Sequence, residues 1–260
     1  MDALIIAAGA GSRLRPVADP KPLAPILDLP LIEIGVRQAA RAGAGRVVVV
    51  TGYRADVIEA ALPAIASRAG IAVVPQRVDD WRLPNGHSVI AGASLIDGDY
   101  LLMMADHIFA DPILPDLVAK GAPNGGVTLA IDRRTKGSLI DPDDATWVEL
   151  DNRGLIRAIG KDIASYHAVD CGAFVATPAL SAAIKEAIAA GRPGSLSDGM
   201  QRLADQARAA TMDIGESWWI DVDDPRAYAL AQAQVAARLS HLFDAARLPF
   251  AKAYEETLAG

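Results

Sequence analysis

Ala3-Leu4-Ile5-Ile6-Ala7-Ala8-Gly9-Ala10-Gly11-Ser12-Arg13-Leu14-Arg15-Pro16, followed by Pro20-Lys21-Pro22-Leu23, is the most informative segment of the chain. Ala3–Ala8 reads as a short buried strand, and glycine takes over where it ends. A glycine-rich turn at that point brings backbone N–H groups close to phosphate, because no Cβ intervenes. Arg13 and Lys21 add fixed positive charge suited to a polyphosphate. Two familiar phosphate loops fail here. Gly11 is not followed by Lys, as a Walker A loop requires, and Leu14 stands where the dinucleotide fingerprint needs a small residue. On glycines alone the segment is a plain strand-to-helix turn. Two arginines, and a lysine locked between Pro20 and Pro22, shift the balance toward a phosphate site.

Working outward, short apolar runs alternate with longer helical patterns. Helices are expected at Pro30–Ala42, Arg54–Arg68 and His87–Ile96, and strands at Arg46–Thr51, Ile71–Pro75, Tyr100–Ala105 and Val127–Ile131. This alternation predicts an α/β fold with a Rossmann-like, mostly parallel sheet flanked by helices. Its loops gather at the C-terminal ends of the strands. After residue 131 the texture changes. Thr146–Leu150, Leu155–Gly160 and Cys171–Ala176 read as strands, with a tight turn at Asp151-Asn152-Arg153-Gly154, forming a small β-rich insertion. Pro178–Ala190, Asp198–Ala210 and Asp224–Leu248 read as helices, the last opened by Pro225. The expected division is a catalytic domain over residues 1–230 and a C-terminal helical tail over 231–260.

Composition narrows the class. The chain has 260 residues and a formal net charge of −7, with a pI near 5.1. Such a field disfavours nucleic acid as a partner. One cysteine, Cys171, excludes a disulfide framework or a multi-Cys zinc site. The first eight residues lack the basic start of a signal peptide, and Arg13 and Arg15 follow at once. No apolar run reaches the ~18–20 residues of a membrane helix. The expectation is a soluble, cytoplasmic protein. A few local cations must therefore handle any phosphate against an unfavourable overall field.

Asp106 follows the apolar strand Tyr100–Ala105, at the sheet edge where α/β folds place ligands. Asp221 lies in Trp218-Trp219-Ile220-Asp221-Val222-Asp223-Asp224-Pro225. Two carboxylates brought together by folding could hold Mg²⁺ across triphosphate oxygens. The competing reading makes Asp106 a loop acid or helix cap, and makes the later aspartates caps of the helix that Pro225 opens; Asp224 is assigned to capping. Asn85-Gly86-His87-Ser88 precedes a helix and reads both as a capping turn and as a base or ribose contact. His87, His167 and His241 are read as ordinary structural histidines.

The first loop, Ala-Ala-Gly-x-Gly-x-Arg-Leu-x-Pro and then Lys-Pro-Leu, closely resembles the opening of the nucleotidyltransferases that make activated sugars and alcohols, and the similarity runs in family order over roughly residues 3–230. The resemblance implies transfer of a nucleoside monophosphate from an NTP to a phosphorylated acceptor, with release of pyrophosphate. It implies that Ala7, Ala8, Gly9, Ala10, Gly11 and Ser12 line the nucleotide, together with Asn85, Gly86 and Ser88. It implies that Arg13 and Lys21 grip the phosphates, and that Asp106 and Asp221 bind Mg²⁺, with Asp223 as the fallback ligand. Ala105 departs from the family, which usually carries Gly before the first metal Asp.

A second block sharpens the acceptor. Ala130-Ile131-Asp132-Arg133-Arg134, Asp141-Pro142-Asp143-Asp144, Ile159-Gly160-Lys161-Asp162 and Val169-Asp170-Cys171-Gly172 occur in order. With the Trp-Trp-x-Asp-Val-Asp ending they look like the inositol-1-phosphate cytidylyltransferases, known as the soluble half of bifunctional enzymes that make inositol phosphodiesters. That implies CTP and inositol 1-phosphate as substrates. Lys161 would match the lysine on the acceptor phosphate, although its position also suits a solvated surface lysine. His107, Asp132, Asp170 and Gly172 would serve the acceptor. The implied partner is a membrane CDP-alcohol phosphotransferase. Either it is a separate chain or the sequence is a fragment, and the tail is then a junction remnant or a homodimer contact. Two other readings stay open: a different NTP and acceptor pair, such as UTP or GTP with a sugar 1-phosphate or CTP with phosphocholine, and a non-catalytic nucleotide sensor.

Overall fold

The computed structural model describes residues 1–137 and 140–243. The first strand, β1 (Asp2–Ile6), is buried on both faces, as its unbroken apolar run requires. A miniature hairpin, β2 (Pro25–Ile26) and β3 (Leu29–Pro30), leads into α1 (Leu31–Arg41). Then come β4 (Arg46–Thr51), α2 (Ala55–Ala69), β5 (Ala72–Arg77), α3 (Asn85–Ala93) and β6 (Tyr100–Met104). Strands β5, β4, β1 and β6 lie side by side and parallel. This is the helix-flanked α/β sheet that the alternating pattern predicts.

The second half supplies β7 (His107–Phe109), α4 (Ile113–Lys120), β8 (Val127–Asp132), β9 (Trp147–Leu150), β10 (Ile156–Gly160) and the long β11 (Ala168–Ala176). They are followed by α5 (Pro178–Ala189), α6 (Leu196–Asp205), β12 (Ala209–Asp213), β13 (Trp219–Asp221) and α7 (Pro225–Arg238). β11 runs antiparallel to β6 and carries β8 and β9 beyond it. β9 and β10 form the expected hairpin, with Gly154 N–H donating to the Asp151 carbonyl at 3.1 Å in its turn.

Three differences from the expected elements matter. The helix expected to reach Ala210 stops at Asp205; Ala207 takes a positive φ of 54°, and Ala209–Asp213 becomes a strand parallel to β8. Alanine favours helix in isolation, but sheet pairing against β8 overrides so weak a preference. The helix expected to reach Leu248 ends at Arg238, and residues 244–260 lie outside the described ones. The expected boundary at residue 230 falls inside α7. Ala231, Val235, Leu239 and Leu242 pack in one buried cluster with Leu14, Ile26 and Ile34, so α7 clamps the back of the first loop. Among the described residues no helix is long and apolar enough to cross a membrane.

Candidate active site

The first loop is held by packing. Ala7 and Ala8 are buried, and their backbones bond to Val50 and Tyr53 at 2.8 and 2.9 Å. Gly11 adopts a left-handed φ of 54°, and a Cβ there would lie 2.5 Å from Lys21 Cβ. Glycine is needed on both counts: for the turn, and for the lysine stem passing beneath it. Lys21 is only 7% exposed. Its ammonium bridges Asp106, at 2.5 Å, and Asp223.

Asp106 meets Asp221 through β7 and β13. These three-residue strands pair antiparallel with His107 opposite Asp221, and Val222 N–H donates to the Asp106 carbonyl at 2.9 Å. His107 Nδ1 lies 2.8 Å from Asp106 Oδ1 and 3.8 Å from Asp221 Oδ1. That Asp221 oxygen is buried and has no hydrogen-bond partner. A buried carboxylate oxygen left unpaired is costly unless a cation completes it. Asp223 differs, because Lys21 and Arg13 both engage it. Asp224 caps α7, accepting from Ala227 N–H at 2.7 Å.

The carboxylates face a cavity of about 420 Å³, a size common for small-molecule sites. Arg13, Asn85, His107, Lys161, Asp170 and Gly172 also line it. From the first loop, Arg13 alone is among its described lining residues. Gly86 and Ser88 are not among its described lining residues. Ser88 is buried on α3, and a Cβ on Gly86 would strike the Gly194 carbonyl at 2.3 Å, so this glycine allows close packing of α3. The Asn85 carbonyl oxygen accepts from Leu196 N–H at 2.8 Å, tying α3 to the start of α6.

Gly172 sits in a bulge of β11 at φ 76°, and a Cβ would lie 2.5 Å from His107 Cδ2. Its backbone therefore bounds His107, and its N–H donates to Asp170 Oδ1 at 2.7 Å. Asp132 corrects the expectation of a polyol contact. It is buried, and its oxygens accept from the Arg134 fork at 2.9 Å and from Trp219 Nε1 at 2.9 Å. Trp219 in turn stacks on His107 with ring centroids 5.7 Å apart. Asp132 thus orients the aromatic support of His107, and its acceptor sites are taken.

Electrostatics follow from this crowding. Burial pushes the Asp170 carboxyl up to about 6. Burial, with Asp106 nearby, raises Asp221 to about 6 as well. For Asp106 burial acts upward, but Lys21 and His107 outweigh it and hold the carboxyl well below the usual range. Burial alone would lower the His107 imidazole; Asp221, Asp106 and Asp170 outweigh it and raise it to about 9. A base raised above its unfolded value near 6.5 gives stability that is complete below that pH and lost as pH climbs through 9. The protein in chelator should therefore lose about 3 kcal/mol from its His107 contribution between pH 6.5 and 9.5. Urea unfolding across that range checks this, with the fall much shallower in His107→Gln. An equally steep fall in that variant would place its origin elsewhere.

Among the lining residues that sequence reasoning missed are Asp144 and Arg226. Asp144 lay in the block quoted for the resemblance, yet nothing in its spacing shows that it meets Arg13, 131 positions away. Arg226 follows the helix-opening Pro225 and reads as an ordinary surface residue; among the described residues it makes no ion pair.

Comparison with known proteins identifies the family. The MobA-like NTP transferase domain matches residues 3–197. A "Bifunctional IPC transferase and DIPP synthase" of Rubrobacter xylanophilus is 30% identical over 236 residues, 90% of this chain and 51% of that one. The same-named protein of Aquifex aeolicus is 27% identical over 226 residues, 86% and 49% of the two chains. The chain thus spans about half the length of these relatives. Among solved structures, the inositol-1-phosphate CTP transferase from T. maritima superposes with a TM-score of 0.76 at 24% identity, covering 90% of this chain and 96% of that one. UDP-glucose pyrophosphorylase complexed with UDP-glucose gives 0.72 at 20% identity, covering 91% and 99%. At these identities the two structures speak to the fold.

Proposed function

Given that the chain belongs to the MobA-like NTP transferase domain family and is a nucleotidyltransferase, we propose that it transfers CMP from CTP to inositol 1-phosphate, giving CDP-inositol and pyrophosphate. The observation that carries the reading is the meeting of Asp106 and Asp221 across β7 and β13, at a cavity that Lys161 and Asp170 also line. The choice of CTP and an inositol phosphate rests on the likeness to the IPC transferases and to the T. maritima transferase.

The donor set fits a hard divalent cation. It is built of carboxylate oxygens, and one of them is buried without a hydrogen-bond partner. Asp106 and Asp221 are the residues that would hold Mg²⁺, which when bound supplies charge neutralisation on the phosphates. Arg13 and Lys21 grip the leaving pyrophosphate. Lys161 holds the acceptor phosphate, whose oxygen attacks the α-phosphorus while the bond to the pyrophosphate oxygen breaks. The nucleophile is already an anion, so no general base is required. His107, held protonated by its carboxylates, keeps Asp106 and Asp221 close together despite their like charge. Catalysis is then positioning and charge stabilisation. Asn85 stands for the nucleotide side of the cavity, and Asp170 with the Gly172 backbone for the polyol.

Pyrophosphate release across four NTPs and a panel of phosphorylated acceptors tests this. The expected result is turnover with CTP and inositol 1-phosphate at least tenfold above any other pair. Turnover confined to UTP with a hexose 1-phosphate would overturn the substrate assignment. Tight NTP binding with no turnover would make the chain a nucleotide sensor.

A further inference from the structure

Asp144 sits on two of the three cations that the proposed reaction assigns to phosphate. Its two oxygens are divided between Arg13, from the first loop, and Lys161, from the end of β10. These cations come from different segments lining the cavity and serve different substrates in the proposed mechanism. A single carboxylate joins them in the unliganded protein. The placement is built: the Asp144 and Ala145 N–H groups donate to the Asp141 carbonyl at 3.2 and 2.9 Å, and Asp143 N–H donates to Asp141 Oδ1 at 3.1 Å, closing a turn that aims Asp144 inward. Asp141 itself stands 3.6 Å from Arg13. Lys161 and Arg13 hold the Asp144 carboxyl below its usual range despite partial burial, so it is an anion at neutral pH.

A carboxylate and a phosphate oxygen compete for the same guanidinium and ammonium donors. We propose that Asp144 is an internal counter-anion occupying the place of substrate phosphate between Arg13 and Lys161, so that phosphate binding at either cation must displace it. This rests on the reading of Arg13 and Lys161 as phosphate-binding residues. Two consequences follow from it. Asp144 weakens the hold on pyrophosphate and so speeds product release. It also couples the two substrates, because the first phosphate to bind frees the cation that the second needs.

The probe is inorganic pyrophosphate, titrated into the full chain by calorimetry in EDTA at low salt. Partly exposed ion pairs are weak, so removing two of them should tighten binding on the order of tenfold in Asp144→Asn. Asp144→Glu, which keeps the charge, should return the affinity to near the wild-type value. Inhibition of turnover by pyrophosphate should strengthen in Asp144→Asn by the same factor, a change that a merely structural role would not produce. Unchanged or weaker pyrophosphate binding in Asp144→Asn would overturn the proposal. Asp144→Ser serves as a second variant if Asn perturbs the turn, with the same outcomes. Arg13→Met and Lys161→Met separate the two levels. If they weaken pyrophosphate binding while Asp144→Asn does not tighten it, the counter-anion fails and the phosphate reading stands. If neither weakens it, the phosphate reading itself fails.

Discussion

Asp106→Asn should lower kcat by at least about a thousandfold, with the fold retained. The carboxylate stands where three things meet: Lys21 at 2.5 Å, His107 at 2.8 Å, and Asp221 across the strand pair. An amide of the same shape keeps the packing and can still accept one hydrogen bond from Lys21. It removes the charge that a divalent cation on a triphosphate requires. Folding should survive the change, with some stability lost in chelator, because Asp223 still pairs with Lys21 and Asp221 still faces His107. Two measurements check this together. Pyrophosphate release reports catalysis, and the rise in Tm on adding Mg²⁺ without nucleotide reports cation binding; both should collapse. Asp221→Asn should behave alike, whereas Asp223→Asn should retain the Mg²⁺ response, since Asp223 is engaged by Arg13 and Lys21. Asp106→Asn retaining kcat within tenfold would remove Asp106 from the reacting centre.

The parallel half of the sheet is readable in the sequence because its strands are buried on both faces. An unbroken run such as Val47–Val50 has few alternatives once glycine follows it at residue 52. The tight turn at 151–154 is legible for a related reason, since Asn and Gly there state their backbone geometry directly. The strands that assemble the candidate site are another matter. β7 and β13 have three residues each, too short for a period-2 pattern, and they form a separate two-stranded sheet. Asp106 and Asp221 are therefore individually visible beside apolar runs, while their meeting depends on a pairing that no local signal announces. Asp132 shows the opposite limit. A carboxylate at the end of a strand suits a ligand contact, and only the fold reveals that the Trp219 indole and the Arg134 fork already fill it. β12 was hidden by its alanines, whose helical preference is weaker than a sheet partner.

Lys21→Met should have the second large effect, and in two directions at once. The lysine stem is packed under Gly11, so a methionine of similar length keeps the apolar contacts. What is lost is the ammonium between Asp106 and Asp223. Breaking a buried pair on one side leaves uncompensated charge, typically costing ~3–5 kcal/mol. Here the two aspartates remain about a quarter exposed, which cuts that to roughly 2 kcal/mol. Tm in chelator should fall accordingly. Activity should fall by about a hundredfold or more, because the group meant for the leaving pyrophosphate is missing. The added Mg²⁺ response should move the other way. In the unliganded protein the ammonium and a divalent cation draw on the same Asp106 oxygens, so removing the ammonium should tighten cation binding and enlarge the Mg²⁺-dependent rise in Tm. A variant that is destabilised, inactive and more responsive to Mg²⁺ separates this account from simple unfolding, which would lower the response along with everything else. Lys21→Arg completes the comparison: it restores charge without the compact shape that fits beneath Gly11, and should recover stability in chelator only in part. If Lys21→Met leaves both the Mg²⁺ response and kcat unchanged, the lysine is a structural strut and the phosphate grip lies with Arg13.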